Sequence, residues 1–93
     1  MIKDDDVPIM PRGVRCHYDR VRKIDVILGP ERVLMLDAIG HAIVTRIDGD
    51  RAISEITRDL AATYDAPLDV IQPDVVEYLQ DLVDKGFIHV SSR

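Results

Sequence analysis

The stretch "GPERVLMLDAIG", residues 29–40, decides the fold of this chain. Its four consecutive apolar residues, Val33 to Leu36, are typical of a short strand, and a strand points successive side chains to opposite faces. Both faces of this strand therefore need cover, which a small chain can rarely supply. Asp37, a favourable N-cap residue, then begins an apolar pattern with helical spacing. The stretch predicts a strand that leads directly into a helix and keeps an open edge.

The amino-acid composition limits the class of protein to which the chain can belong. Its 93 residues, 46% hydrophobic and 31% charged, favour one small soluble domain with a single core. The core is expected to be aliphatic, because the chain has one Phe and no Trp. Cys16 is the only cysteine, which excludes an internal disulfide and fits a reducing cytoplasm. No apolar run approaches the roughly 20 residues of a membrane helix, so no membrane partner is expected.

The upstream residues predict an arm followed by a small sheet. Residues 1–11, with three aspartates and two prolines, are expected to be a flexible N-terminal arm. Residues 14–19 and 24–28 alternate and predict a hairpin, and residues 32–36 read as a third strand. We expect an N-terminal three-stranded antiparallel sheet.

Helical spacing follows the sheet. It predicts a first helix from Asp37 to Ile47 and a second from a Ser54 cap to about Tyr64. Pro73 lacks an N–H, so we place a loose turn at 68–71 and a third helix at 73–85. Residues 87–90 can form a last short strand before a tail at 91–93. The order indicates an α+β class and a small winged helix-turn-helix-like domain over residues 12–90.

Metal and catalytic chemistry are disfavoured by the spacing of the reactive side chains. Cys16 and His17 are neighbours, so in a strand they point to opposite faces. His41 and His89 have no second ligand at the spacing of a helical metal pair. No phosphate loop or catalytic triad pattern is visible. We expect no catalytic residue, no metal and no cofactor, and hence not an enzyme.

Charge is uneven along the chain. Residues 1–47 carry eight basic and seven acidic side chains, whereas residues 48–93 carry four basic and ten acidic ones. One face of the third helix is acidic, which is usual for a solvated side but argues against contact with duplex DNA. The hairpin holds a basic cluster, for which solvation or contact with an acidic partner are both open. The acidic residues are Asp74, Glu77, Asp81 and Asp84, and the basic ones Arg15, Arg20, Arg22 and Lys23.

An edge strand beside the broad apolar stripe of the third helix predicts a groove that accepts an extended peptide. Alternation does not settle which face of the strand looks into this groove, since both faces are apolar. A nucleic-acid-binding winged helix, or a dimerisation module whose edge pairs with its own copy, are the alternatives. The predicted peptide-binding residues are Arg32, Val33, Leu34, Met35, Val76, Tyr78, Leu79 and Leu82.

Several short segments also carry a family resemblance. They are, in order, "GVR" 13–15, "YD" 18–19, "PERVLMLD" 30–37, "DG" 48–49, "EI" 55–56, "YDAP" 64–67 and "DVVEYLQDLVDKGFI" 74–88. Together they resemble the PqqD family of pyrroloquinoline quinone biosynthesis, over residues 12–90.

That resemblance implies a function. Members of the PqqD family are peptide chaperones with the fold of a RiPP recognition element. They bind the ribosomal precursor peptide PqqA and present it to PqqE, a radical S-adenosylmethionine (SAM) enzyme, without a catalytic residue or cofactor of their own. In related modules the leader peptide joins the sheet beside the third strand and packs on the third helix. Here those elements are residues 32–35 and the margin of helix 73–85, while the basic hairpin residues are candidates for contact with the enzyme.

Overall fold

The computed structural model describes residues 2–92, which form three helices and five strands. The strands lie in two antiparallel sheets. The larger sheet has the strand order β2 (Arg15–Asp19), β3 (Ile24–Gly29), β4 (Arg32–Leu36), and the smaller one pairs β1 (Asp6–Ile9) with β5 (His89–Ser92). The α+β class, the three-stranded antiparallel sheet and the three helices predicted from the sequence are confirmed. The elements are β1 Asp6–Ile9, β2 Arg15–Asp19, β3 Ile24–Gly29, β4 Arg32–Leu36, α1 Ala38–Val44, α2 Ile53–Thr63, α3 Leu68–Asp84 and β5 His89–Ser92.

The register of the larger sheet separates the two faces of β4. Leu34 pairs with Ile27 and Met35 with Val26, and paired residues share a face. Ile27 belongs to the hydrophobic core, and Leu34 packs against that core. Met35 therefore lies on the opposite, outer face, where it is 63% exposed. The core covers only one face of the strand.

The first two helices begin with different caps. The Asp37 carboxylate accepts a hydrogen bond of 2.7 Å from the Gly40 N–H, which confirms the predicted cap of α1. The prediction that Ser54 caps α2 is wrong, because Ala52 is the cap residue. There the Glu55 carboxylate accepts a hydrogen bond of 2.9 Å from the Ala52 N–H. The Glu55 carboxylate, and not the Ser54 hydroxyl, thus accepts a hydrogen bond from a backbone N–H at the start of α2.

α3 begins earlier than expected. The predicted loose turn at 68–71 is helical, and Pro73 lies inside the helix. The Val70 and Ile71 N–H groups already donate to the Pro67 carbonyl, so the first turn is closed before Pro73. Pro73 lacks the N–H that would donate to the Asp69 carbonyl, so the helix goes without that hydrogen bond. Packing of Ile71 against the core supports this first turn.

The core lies between the larger sheet and the three helices. It is aliphatic, as the composition predicts, apart from Phe87. Burial of these side chains away from water is the main term that favours the folded state. The residues with no exposed surface are Ile27, Ile43, Ile53, Ile56, Leu79 and Leu82.

The chain ends contradict the expected arm and tail. Residues 6–9 form β1, in which Val7 pairs with Ser91 and Pro8 with Val90. Val7 is buried, and Ile2 belongs to the core cluster. The tail prediction is wrong for residues 91–92, which lie in β5, and Arg93 lies outside the described residues. The partner strand is about eighty positions away in sequence, so local pattern could not indicate the pairing.

We predict that Val7→Ala lowers the free energy of unfolding by about 1–2 kcal/mol, because it removes two buried methyl groups. Val21→Ala is the matched control, since Val21 is 92% exposed, and it should change stability by less than about 0.5 kcal/mol. Urea unfolding followed by circular dichroism measures both. Equal values for the two variants would show that β1 does not contribute to the fold.

Candidate functional site

The free edge of β4 is the starting point of the site. β4 pairs only with β3, so its other edge has no strand beside it within residues 2–92. Over the same residues, the backbone of 32–36 makes no hydrogen bond outside that pairing. Such an edge presents N–H and C=O groups that another extended chain can pair with.

A groove runs between this edge and α3. Its volume is about 430 Å³, and it is open to solvent along its length. Side chains from the end of β4 form one wall, and side chains one helical turn apart on α3 form the other. The lining residues are Ile24, Leu34, Met35, Leu36, Asp37, Tyr78, Asp81 and Lys85.

Tyr78 stands at the middle of the groove, against the first turn of α1. A Cβ on Gly40 would lie 2.3 Å from the Tyr78 hydroxyl, so only glycine lets the ring approach this closely. Burial raises the pKa of the Tyr78 phenol, and the negative charges of Asp37 and Asp81 raise it further. The phenol therefore stays neutral at physiological pH and remains a hydrogen-bond donor.

Beyond Tyr78 the groove opens into an acidic recess of about 420 Å³. Asp81 is neutralised in part by Lys85, whose Nζ lies 2.8 Å from a carboxylate oxygen. Asp74 and Glu77 form no ion pair with any cation of residues 2–92. The acidic side of α3, expected to be simply solvated, thus lines a concave surface. The recess is lined by Asp37, Ile39, Asp74, Glu77, Tyr78 and Asp81.

Arg32 begins β4 and contacts the C-terminal end of α3. Its guanidinium donates to the Lys85 carbonyl at the end of α3, and it lies 5.9 Å from the centre of the Phe87 ring. Its side chain ties β4 to the C-terminus of α3, while its backbone belongs to the strand edge predicted to pair with a peptide. The neighbouring Gly86, at φ +80°, is the left-handed residue that follows the helix.

The structure brings together only part of the predicted site. Leu34, Met35 and Tyr78 line the groove. Val33 is 54% exposed on the outer face of β4. Val76 is partly buried against the core.

The prediction that Leu79 and Leu82 line the groove is corrected by their burial. Both have 0% exposure and pack inside the core, because they lie at the centre of the apolar face of α3. The apolar stripe of α3 includes both core residues and residues at the edge of the stripe, and sequence spacing alone does not tell one kind from the other.

The groove residues that sequence reasoning missed are mostly charged. Asp37 was assigned only as a cap, and Asp81 only as part of a solvated face. Lys85 was not singled out as a groove residue. The available signal on α3 was the position of Asp81 one residue before the buried Leu82 and of Lys85 three residues after it, on the flank of the helix that turns toward β4.

The basic cluster lies elsewhere. All four of its side chains are exposed, and none of them lines the groove. Arg15 pairs with Leu28 and so shares the outer face of the larger sheet. The other three, Arg20, Arg22 and Lys23, lie in the β2–β3 turn, where Arg22 is 4.0 Å from Asp19.

The described residues hold little for metal or thiol chemistry. Residues 2–92 contain no cluster of three potential metal ligands, and no helix among them is long and apolar enough to cross a bilayer. Burial, and then the charge of Asp25, raise the pKa of the Cys16 thiol. A thiol with a raised pKa is a poor nucleophile at neutral pH, because the thiolate is the reactive form.

Comparison with known proteins identifies the fold first. The solution structure of the PqqD part of Methylobacterium extorquens PqqCD, a functional and stand-alone RiPP recognition element, matches with a TM-score of 0.83 at 37% identity. The match covers 96% of this chain and 95% of that one. The domain with its free sheet edge therefore has the fold of a RiPP recognition element.

The family follows from sequence comparison. Residues 26–88 match the family model of coenzyme PQQ synthesis protein D, PqqD. A PqqA binding protein of Bradyrhizobium diazoefficiens is 43% identical over 87% of this chain and 79% of its own length. A PqqA binding protein of Rhizobium meliloti is 42% identical over 97% and 92% of the two chains. This chain belongs to the PqqD family, which confirms the resemblance seen in its sequence.

We predict strong coupling between Gly40 and Tyr78. Gly40→Ala should lower the free energy of unfolding by about 1–3 kcal/mol, because the new methyl group displaces the Tyr78 ring. In a Tyr78→Ala background the same change should be neutral or stabilising, since alanine favours a helix by about 1 kcal/mol over glycine. A double-mutant cycle from urea unfolding gives the coupling energy. The same loss in both backgrounds would contradict the contact.

The raised pKa of Tyr78 predicts a loss of stability in alkali. A folded-state pKa above the ordinary value of 10.0 means that the folded protein holds the phenol proton more tightly than the unfolded chain. This contribution is present below the ordinary pKa and disappears as pH rises through the folded value. The difference in tyrosinate absorbance between the parent and Tyr78→Phe isolates this titration. A midpoint at or below the ordinary value would refute the prediction.

Proposed function

We propose that this protein is a non-catalytic chaperone that binds a PqqA precursor peptide as an added strand on β4 and presents it to the radical SAM enzyme PqqE. The observation that carries the proposal is the unpaired edge of β4 beside a groove of about 430 Å³. The names of the relatives from Bradyrhizobium diazoefficiens and Rhizobium meliloti support PqqA as the ligand.

Strand addition explains how one groove gives both affinity and selectivity. The peptide backbone pairs with the open edge of residues 32–36, independently of the peptide sequence. Alternate peptide side chains then enter the groove, where they meet Leu34 and Tyr78. The remaining side chains point toward solvent on the outer face of the strand, on the side of Val33. The peptide segment is thereby held extended, with half of its side chains accessible to an enzyme.

Presentation to the enzyme needs a second surface. The exposed basic residues of the hairpin, Arg15, Arg20, Arg22 and Lys23, lie outside the groove and stay free when it is filled. A basic surface suits an acidic patch on a partner protein. The reacting groups come from the enzyme, and burial raises the pKa of the Cys16 thiol, which disfavours its thiolate form.

Binding of duplex nucleic acid is the alternative that the acidic groove disfavours. Asp74, Glu77 and Asp81 all lie on the exposed side of α3, the helix that a winged helix inserts into DNA. Self-association through β4 would use the same edge as the peptide, so peptide and a second copy should compete. Sedimentation with and without peptide separates these two occupants of the edge.

We predict that Leu34→Ala weakens peptide binding about tenfold, because Leu34 lines the groove and lies on the face of β4 that looks toward the core. The probe is the synthetic PqqA peptide of Bradyrhizobium diazoefficiens, titrated into the protein by calorimetry. Circular dichroism establishes that the variant is folded.

Val33→Ala is the matched control on the same strand. It removes a side chain that points to the outer face, so it should change the dissociation constant less than about twofold. Equal losses for the two variants would contradict the assigned face of β4. No binding by the parent protein would overturn the proposed function itself.

A further inference from the structure

We propose that the groove ends in a second, apolar subsite between α1, α2 and α3, which receives an apolar side chain of the same bound peptide. This inference rests on the proposed function, because it takes the peptide on β4 as the occupant. Nothing in the sequence pattern pointed to this pocket. It gives the ligand a second anchor beyond the strand-pairing segment.

The pocket continues the groove without a break. The recess beside β4 and the acidic recess share Asp37, Tyr78 and Asp81. The acidic recess and the apolar pocket in turn share Ile39 and Asp74. The three hollows therefore follow α3 from Lys85, at its C-terminal end, to Ile71, near its start.

The pocket suits one branched aliphatic side chain. Its volume is about 90 Å³, close to that of three water molecules at roughly 30 Å³ each in the liquid. Apart from Asp74, every side chain that lines it is apolar or aromatic. A hydrocarbon side chain gains free energy when it moves from water into this pocket, whereas a polar side chain would leave its hydrogen-bonding groups unpaired. The lining residues are Ile39, Ile43, Leu60, Tyr64, Ile71, Asp74 and Val75.

Two of these residues are large apolar side chains that the fold leaves in water. Ile39 on α1 is 50% exposed, and Tyr64 at the end of α2 is 47% exposed. Both line the pocket, although 25 positions separate them in sequence. A side chain seated between them would cover apolar surface that the folded chain alone does not cover.

The length of α3 sets the size of the peptide segment. Fourteen residues separate Lys85 from Ile71, which at 1.5 Å per residue is about 21 Å. An extended peptide advances about 3.3 Å per residue, so six or seven residues span the path. A segment of about six or seven extended residues can therefore pair with β4 at one end and reach the pocket at the other.

The acidic charge of the groove between its two apolar ends favours particular peptide residues between the two anchors. These peptide residues pass Asp74 and Glu77, which have no cation to pair with in residues 2–92. A lysine or arginine of the peptide would supply the complementary charge, whereas an acidic residue would be repelled. The ligand class is an extended segment with a basic residue between two apolar anchors.

The test uses the Bradyrhizobium diazoefficiens PqqA peptide and the full chain. Ile39→Ser and Tyr64→Ser should each weaken binding by roughly five- to tenfold, because each opens one side of the pocket to water. Val70→Ser is the matched control, since Val70 is an equally exposed side chain of α3, 57% exposed, that lines none of the three hollows. It should change affinity less than about twofold.

A charge variant tests the middle stretch. Asp74→Asn with Glu77→Gln should weaken binding and flatten its dependence on salt, relative to Asp84→Asn on the same helix outside the groove. If the parent binds and Leu34→Ala weakens it, but the Ile39 and Tyr64 variants match Val70→Ser, the second subsite is refuted while the proposed function stands. If the parent does not bind the peptide, the proposed function fails first.

Discussion

The burial of Leu79 and Leu82 is the constraint on which the site depends. Both side chains have no exposed surface and fix how α3 is rotated against the sheet. Successive residues of an α-helix are about 100° apart, so the residue before each leucine must lie on the flank of the helix. Those residues are Tyr78 and Asp81, and both line the groove. The core packing and the ligand surface are therefore two consequences of one helix orientation.

The second wall of the groove comes from the short strand β4. Leu34 and Leu36 turn toward the core and the groove, while Val33 and Met35 remain on the outer face. Within residues 2–92, Val33 and Met35 remain more than half exposed on that face. The apolar side chains that the core does not cover therefore lie on an edge strand. The free N–H and C=O groups of that strand can pair with an added strand. Met35 lies at the border, because it is exposed and still lines the groove.

Several polar residues serve the fold and the groove together. Asp37 caps α1 and lines two of the hollows, and Gly40 makes room for the Tyr78 ring against that same turn. Arg32 ties β4 to the end of α3, which holds the two walls at a constant separation. Because these contacts join α1, α3 and β4, the groove exists before any ligand binds. A preformed groove lowers the ordering that binding requires.

The sequence by itself determined the elements and the family. Periodicity predicted the three strands and three helices, and spaced motifs pointed to the PqqD family. The sequence did not predict the strand β1, since β1 pairs with β5 and the two strands lie at opposite ends of the chain. Nor could it separate Leu79 from Tyr78, because both belong to one wide apolar stripe. Only tertiary packing decided which residues of that stripe face the core and which face the groove, since helix rotation is set by long-range contacts.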